Sequence, residues 1–146
     1  MALLLTYYCG CVIIFSRINR DLVGEKELGK YDILKENCYR RFINTLNECG
    51  DFLLSADDEK IGYLIFEEFD IDVRSNLCDQ NLDIFISEGW IDESIKEKCK
   101  KLRNSFCEIQ ALYPQIWNIK SVRTSEKWAE ILKLSDEIKE NLYFVF

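Results

Sequence analysis

A chain of 146 residues, 48% of them hydrophobic, is long enough to bury a sizeable core and too apolar to be disordered. One proline and six glycines offer few turn positions, which argues against an all-β sandwich and favours long helices. The net charge is −7 and histidine is absent from the sequence, which removes the most common general base and metal ligand. The sequence therefore predicts a single all-α domain over residues 1–146, a bundle of about six to eight helices.

The N-terminal residues 2–15 form an apolar run, ALLLTYYCGCVIIF, that contains no charged residue. A membrane-spanning helix needs about twenty such residues, and the run lacks the preceding basic residues of a signal peptide. We therefore expect residues 1–15 to form an apolar helix packed on the core, followed by an acidic helical body over residues 16–146. A membrane anchor and a mis-assigned start are the two alternatives for this run.

Residues 30–48 carry apolar side chains at steps of three and four, the period of an α-helix. The buried stripe is expected to contain Ile33, Leu34, Cys38, Phe42 and Leu46. The solvent face is expected to contain Lys35, Glu36, Arg40 and Arg41. Gly50 lies just past the end and is a typical helix stop.

A second helix is predicted to follow, with Ser55, Asp57 and Asp58 as candidate N-caps. Its stripe continues the helical period to about Val73 through Ile61, Leu64, Ile65, Glu68 and Phe69. Gly62 costs about 1 kcal/mol relative to alanine inside a helix, and parts of residues 62–73 alternate as a strand does. A helix is favoured because the neighbouring turn signals of a hairpin are missing.

The remaining helices are predicted from caps and stops. Ser75 or Asn76 can cap a short helix that ends at Gly89, and Trp90 and Ile91 fill a turn. Asp92 can cap a long helix that ends before Pro114. Its buried stripe is Ile95, Cys99, Leu102, Phe106 and Ile109, and its outer face carries Lys96, Lys98, Lys100, Lys101 and Arg103.

Two helical segments complete the predicted bundle. Asn118 or Ser121 can cap a single turn, and Ser125 can cap the last helix. That helix places its apolar residues on or near one face: Trp128, Ile131, Leu132, Leu134, Ser135 and Ile138. The apolar end, residues 142–146, is expected to pack against the core.

Catalytic and metal-binding patterns are weak. Cys9 and Cys11 look like a ligand pair, but the second pair of a structural zinc site is missing. The seven cysteines are therefore expected to be reduced core thiols of a cytoplasmic protein, and no metal or cofactor is expected. Glu67 and Glu68 are adjacent and do not converge as catalytic carboxylates do, so we expect no enzymatic activity. The basic residues 96–103 form a modest patch that the overall negative charge opposes, so direct nucleic-acid binding is not expected.

Residues 48–93 carry the strongest signal in the sequence, because they contain fourteen acidic residues and only two basic ones, for a net charge of −12. Apolar residues are interleaved with the acids, which indicates an acidic face on folded structure and not a solvated tail. Such a face serves solubility, or it attracts a basic partner and accelerates association.

The segment FISEGWIDESI, the helix after it and the ending WNIKSVRTSEKWAEILKLSDEI together resemble small immunity proteins of bacterial toxin–immunity systems, including contact-dependent growth inhibition. The likeness covers residues 57–142 and follows a pattern of Gly-x-Ile-Asp, Val-Arg-x-Ser-x-x-Trp and Leu-Ser-Asp-x-Ile. The N-terminal apolar run departs from it. The resemblance implies a helical protein that binds one cognate toxin, in many cases a nuclease with a basic cleft, and blocks its active site or substrate surface.

The acidic segment and the resemblance together predict a partner-binding surface. The expected contact residues are Glu67, Glu68, Asp70, Asp72, Asp79 and Asp83, with Trp90 as an aromatic anchor. Two other classes of protein compete with this hypothesis. One is a membrane-associated or envelope protein anchored by residues 2–15, and the other is a helical adaptor that uses an exposed apolar groove.

Overall fold

A computed structural model of the protein describes residues 25–142. Over this range the structure contains helices and no strands, which confirms the predicted all-α fold. The helix expected over residues 1–15, with Cys9 and Cys11, and the apolar chain end after Leu142 lie outside the described residues. Among the helices described, none has both the length and the apolar character needed to cross a membrane.

The helices follow one another with short connections. The first half contains α1 (Glu25–Asn47), a 3₁₀ turn (Asp51–Ser55), α2 (Asp58–Ile61), a π-helical segment (Gly62–Phe69) and α3 (Asp70–Asn76). The second half contains α4 (Asp79–Ser87), α5 (Glu93–Leu112), a 3₁₀ turn (Pro114–Ile116), α6 (Ile119–Thr124) and α7 (Glu126–Glu140). Because α2, the π-helical segment and α3 run on without a break, we call residues 58–76 the middle helix.

One hydrophobic cluster forms the main core of the described bundle. α7 packs against α5, α6 and α1, and α1 also packs against α3 and α4. The Trp128 indole lies at the centre of one aromatic group and donates a hydrogen bond of 2.7 Å to the Ile116 carbonyl. Its ring centroid lies 5.8–5.9 Å from those of Phe66, Phe106 and Trp117.

The π-helical segment explains an unusual burial pattern in the middle helix. Its buried residues recur at a constant spacing of four, as Ile61, Ile65, Phe69 and Val73. An α-helix turns about 100° per residue, so a spacing of four drifts by about 40° each time and by about 120° over twelve residues. The wider π turn removes much of this drift and keeps all four side chains in the core. The prediction of a helix is confirmed here, but its expected α-helical period is wrong over Gly62–Phe69.

Most predicted caps are confirmed. The side chains of Asp57, Asp92 and Asn118 each accept a hydrogen bond of 2.8 Å from the backbone N–H three residues later. Ser125 occupies the N-cap position of α7 without a side-chain cap bond. Gly89 adopts the left-handed conformation, with φ of 77°, just after α4.

The predicted cap of α4 is wrong, because Cys78 occupies that position. Ser75 and Asn76 instead belong to the last turn of α3, where their side chains donate hydrogen bonds to acceptors outside α4. Ser75 Oγ donates to the Ile71 carbonyl at 3.1 Å, and Asn76 Nδ2 donates to Thr45 Oγ1 at 2.9 Å. The second bond connects α3 with the C-terminal end of α1.

Two expectations for α1 are corrected. Ile33 was expected in the buried stripe but is 59% exposed. Lys35 was expected on the solvent face but is buried, because its ammonium group lies 2.6 Å from Glu88 Oε1 at the end of α4. The stripe formed by Cys38, Phe42 and Leu46 is buried as predicted.

Polar contacts join the chain after α1 to α7. Ser135 Oγ donates to the carbonyls of Leu46 and Cys49 at 3.1 and 2.8 Å. Lys139 Nζ donates to the same Cys49 carbonyl at 2.9 Å. These bonds attach α7 to the end of α1 and to the residues that follow it.

Candidate acidic binding surface

Three of the predicted contact residues form ion pairs within the chain. Asp70 lies 2.6 Å from Arg74, Asp79 lies 2.9 Å from Arg103, and Asp83 lies 2.7 Å from Lys96. Arg103 and Lys96 belong to the basic face of α5, which packs beside α4. The acids of α4 and the bases of α5 therefore balance each other, although the sequence places them in separate segments.

The other predicted acids have no balancing base in the described part of the chain. No lysine or arginine within the described range forms an ion pair with Glu67, Glu68 or Asp72. Glu48, which was not predicted as a contact residue, joins them. Carboxylate oxygens of Glu48, Glu68 and Asp72 all lie within 4.8 Å of one another, and we call these three residues the acidic cluster.

The packing of α1 on the middle helix creates this cluster. Glu48 follows directly after α1, Glu68 belongs to the π-helical segment and Asp72 belongs to α3. Residues four apart lie close to one line along the wide π turn, so Glu68 and Asp72 point to the same side. The hydrogen bond between Asn76 and Thr45 holds the two helices together next to the cluster.

Burial and mutual repulsion change the protonation of the cluster. Burial raises the pKa of the Glu48 carboxyl group well above its usual range. A hydrogen bond to Asp72 and the charges of Asp72 and Glu68 raise it further. Across residues 25–142, no hydrogen-bond donor other than the carboxyl groups of the cluster reaches the buried Glu48 Oε2. The Glu68 carboxylate also raises the pKa of Tyr63, through a side-chain hydrogen bond and its charge. The cluster therefore retains a proton near neutral pH and favours an incoming cation.

Exposed apolar side chains flank the unbalanced acids. Tyr63 is 53% exposed and Ile71 is 66% exposed, and Glu67 lies between them at the same spacing of four. We call Tyr63, Glu67 and Ile71 the outer ridge of the middle helix. It lies opposite the buried residues of that helix and next to Glu68 and Asp72.

Trp90, the predicted aromatic anchor, is partly buried in a second aromatic group. Its ring centroid lies 5.1 Å from that of Tyr39 and 6.1 Å from that of Phe85. Part of its surface stays accessible, so its role in binding stays a prediction.

Two buried cysteines do not offer reactive thiolates. Cys49, Cys99 and Cys107 form no disulfide, and burial raises the pKa of Cys49 and of Cys99 to about 12. Thiols with such values stay protonated at neutral pH and are poor nucleophiles and poor metal ligands. The expectation of a reduced thiol is wrong for Cys78, which is disulfide-bonded.

Two other features do not define a ligand site. The acidic cluster brings together one oxygen atom from each of three carboxyl groups, fewer than the six to eight oxygen ligands of a typical calcium site. A groove of about 310 Å³ lies between α5 and α7, and its charged residues balance each other. They are three lysines and three glutamates: Lys101, Lys127, Lys133, Glu108, Glu130 and Glu137.

No protein-family model, curated protein or solved structure matches this chain. The functional argument therefore depends on the charges and contacts of the acidic cluster and the outer ridge.

Proposed function

We propose that the protein is an immunity protein that binds a cognate bacterial toxin and neutralises it. In this proposal an acidic face covers the active site or the substrate-binding surface of the toxin, which is a nuclease with a basic cleft. The observation that carries the proposal is the group of acids at residues 48, 67, 68 and 72, which form no ion pair with a base of the described structure.

The physical basis is charge complementarity on a rigid support. A nuclease cleft is basic because it binds phosphate groups, and carboxylates held on a helix can occupy the same positions. Attraction between the two fields accelerates association and disfavours partners of the same sign. A packed helix loses little conformational entropy when it binds, so more of the interaction energy contributes to affinity.

The proposed mechanism is occlusion without catalysis. The absence of histidine from the sequence and the protonated buried thiols Cys49 and Cys99 support this part of the proposal. The proposed location is the cytoplasm, where an incoming nuclease toxin would meet its substrate, and the disulfide of Cys78 is the one observation that argues against this compartment.

The proposal ranks the predicted contact residues. Glu67, Glu68 and Asp72 carry the strongest expectation, and Glu48 is added to them. Asp70, Asp79 and Asp83 are given a secondary role, since bases of this chain already balance their charges. The basic groups of a partner must displace those bases, or they are attracted more weakly at these three acids.

Co-expression tests the proposal directly. The toxic domain encoded beside this chain, placed under an inducible promoter, should arrest growth alone and should be tolerated when this chain is present. The two proteins should also co-purify as a complex. Failure to restore growth, or the absence of any toxin gene beside this one, would remove the proposal. Restored growth that survives charge reversal at Glu67, Glu68 and Asp72 together would favour a helical adaptor with another interface.

A further inference from the structure

We infer that the outer ridge is a docking surface for a basic amphipathic segment of a partner protein. In this arrangement a lysine or arginine of the partner contacts Glu67, Glu68 and Asp72, and an apolar side chain packs against Tyr63 and Ile71. The inference rests on the proposed function, because it assumes a basic protein partner, and it names the surface and the chemistry that the partner must present.

The apolar part of the surface is accessible to a partner. Large apolar side chains that are more than half exposed, such as Tyr63 and Ile71, bury well in an interface core. Tyrosine is enriched at interfaces because it combines apolar area with a hydrogen-bonding group. Their spacing of four on both sides of Glu67 gives one continuous strip along the helix.

Charge distinguishes this strip from another exposed apolar position of the described structure. Phe52 is also exposed, but the ammonium groups of Lys60 and Lys139 lie 5.6 and 5.8 Å from its ring centroid. A basic partner is attracted less there, because Lys60 has no ion pair in the described structure and Asp136 is already paired with Lys139. Tyr63 and Ile71 are instead next to carboxylates that no described base balances, so a basic partner is attracted to the outer ridge.

The acidic cluster couples docking at the outer ridge to the release of a proton. The titratable groups that interact with Glu48 are Tyr63, Glu68, Asp72 and the buried thiol of Cys49. An arriving guanidinium group favours the ionised form of Glu48, so binding should release a proton. Affinity should therefore rise with pH over the range in which free Glu48 still holds its proton.

The test uses the full chain and a synthetic helical peptide that carries leucine and arginine in neighbouring positions on one face and neutral polar residues on the other. A peptide of the same composition in scrambled order is the control probe. Calorimetry should detect tighter binding of the amphipathic peptide. Ile71→Ala and Glu67→Lys should each weaken that binding by about tenfold. Both residues are exposed, so neither change threatens the core.

Matched controls lie on other surfaces of the protein. Leu112 is 65% exposed and Glu130 is exposed on α7, so Leu112→Ala and Glu130→Lys make the same chemical changes elsewhere. Binding within about twofold of the original protein is expected for both. Equal losses in the controls and in the ridge variants would overturn the inference, as would peptide binding no tighter than that of the scrambled peptide.

Two further measurements separate this inference from the proposed function. Heats of binding in buffers of different ionisation enthalpy should show proton release, and Glu48→Gln should abolish it. If the Ile71→Ala and Glu67→Lys variants still neutralise the toxin as well as the original protein does, the docking surface is refuted and the proposed function stands. If the peptide binds at the outer ridge but this chain does not protect cells from the toxin, the docking surface is supported and the proposed function is refuted.

Discussion

The carboxyl group of Glu48 lies within 4.8 Å of the carboxyl group of Asp72, oxygen to oxygen, on two different helical elements. Across the part of the chain that the structure describes, no lysine or arginine forms an ion pair with either group. Two carboxyl groups can stay this close when one of them holds a proton, and burial together with the nearby Asp72 and Glu68 raises the pKa of Glu48. Stability and binding at this site therefore both depend on pH.

Glu48→Gln should stabilise the protein at pH 8 and leave it almost unchanged at pH 4. The folded protein raises the pKa of Glu48, so its contribution to stability is complete below the unfolded pKa and is lost as pH rises through the folded pKa. Glutamine cannot ionise and avoids that loss. The expected gain at pH 8 is about 1 kcal/mol, because the side chain is only partly shielded from water. Urea denaturation between pH 4 and pH 9 measures it, and Glu59→Gln, at an exposed position, should show no such gain.

Gly50→Ala should destabilise the protein by about 1–3 kcal/mol. A methyl group at this position would overlap with Asp136 Oδ1 and lie 2.9 Å from Lys139 Nζ. Asp136 cannot move freely, because its Oδ2 accepts a hydrogen bond of 2.9 Å from the backbone N–H of Asp51. Chemical denaturation measures the change, and an unchanged midpoint would show that Asp136 adjusts without cost.

Gly62→Ala should have the opposite effect and stabilise the protein by about 0.5–1 kcal/mol. Gly62 already has helical φ and ψ angles, and an added methyl group would make an ordinary contact of 3.6 Å with Ile119 Cδ1. Alanine also lowers the entropy of the unfolded chain. Thermal unfolding measures the gain. A lower melting temperature would mean that the π-helical segment needs the flexibility of glycine.

Arg103→Ala should cost more stability than Asp79→Ala. Arg103 Nη1 donates to the Leu77 carbonyl at 2.8 Å as well as to Asp79 Oδ1 at 2.9 Å, and Leu77 is buried. Loss of the arginine leaves that carbonyl without its donor, at a cost of about 1–3 kcal/mol. Loss of Asp79 removes an exposed ion pair worth about 0–1 kcal/mol. Urea denaturation of both variants gives the comparison, and equal costs would contradict it.

Trp128→Phe should destabilise the protein by about 2–3 kcal/mol. The indole is fully buried among three aromatic rings, and phenylalanine cannot donate to the Ile116 carbonyl. Trp117→Phe, at a partly buried position, should cost less. The near-ultraviolet circular dichroism signal of the aromatic group should fall together with the free energy of unfolding in Trp128→Phe.

Local patterns predicted the helices well. The stripe of α5 from Ile95 to Ile109 is buried throughout, and its Asp92 cap is formed as expected. These features depend on residues three to seven positions apart, which a helical period describes. The spacing of four in the middle helix was also visible, and it is the signal that could have identified the π-helical segment.

The site was harder to predict, because charge balance depends on which helices meet. Asp79 and Arg103 are twenty-four positions apart in the sequence, and their ion pair exists because α4 packs beside α5. Glu48 was overlooked for the same reason, since its carboxyl group meets the middle helix only after α1 has packed. A count of acidic residues along the sequence overestimates the field that a partner would meet.

The wide turn of the middle helix ties the interior of the protein to its surface. A deletion that restored ordinary α-helical pitch between Gly62 and Phe69 would rotate every later residue around the helix axis. Phe69 and Val73 would leave the core in the same step that carried Ile71 away from Glu67. Substitutions can therefore change the side chains of this helix one at a time, but an insertion or a deletion would disrupt both the core packing and the surface arrangement.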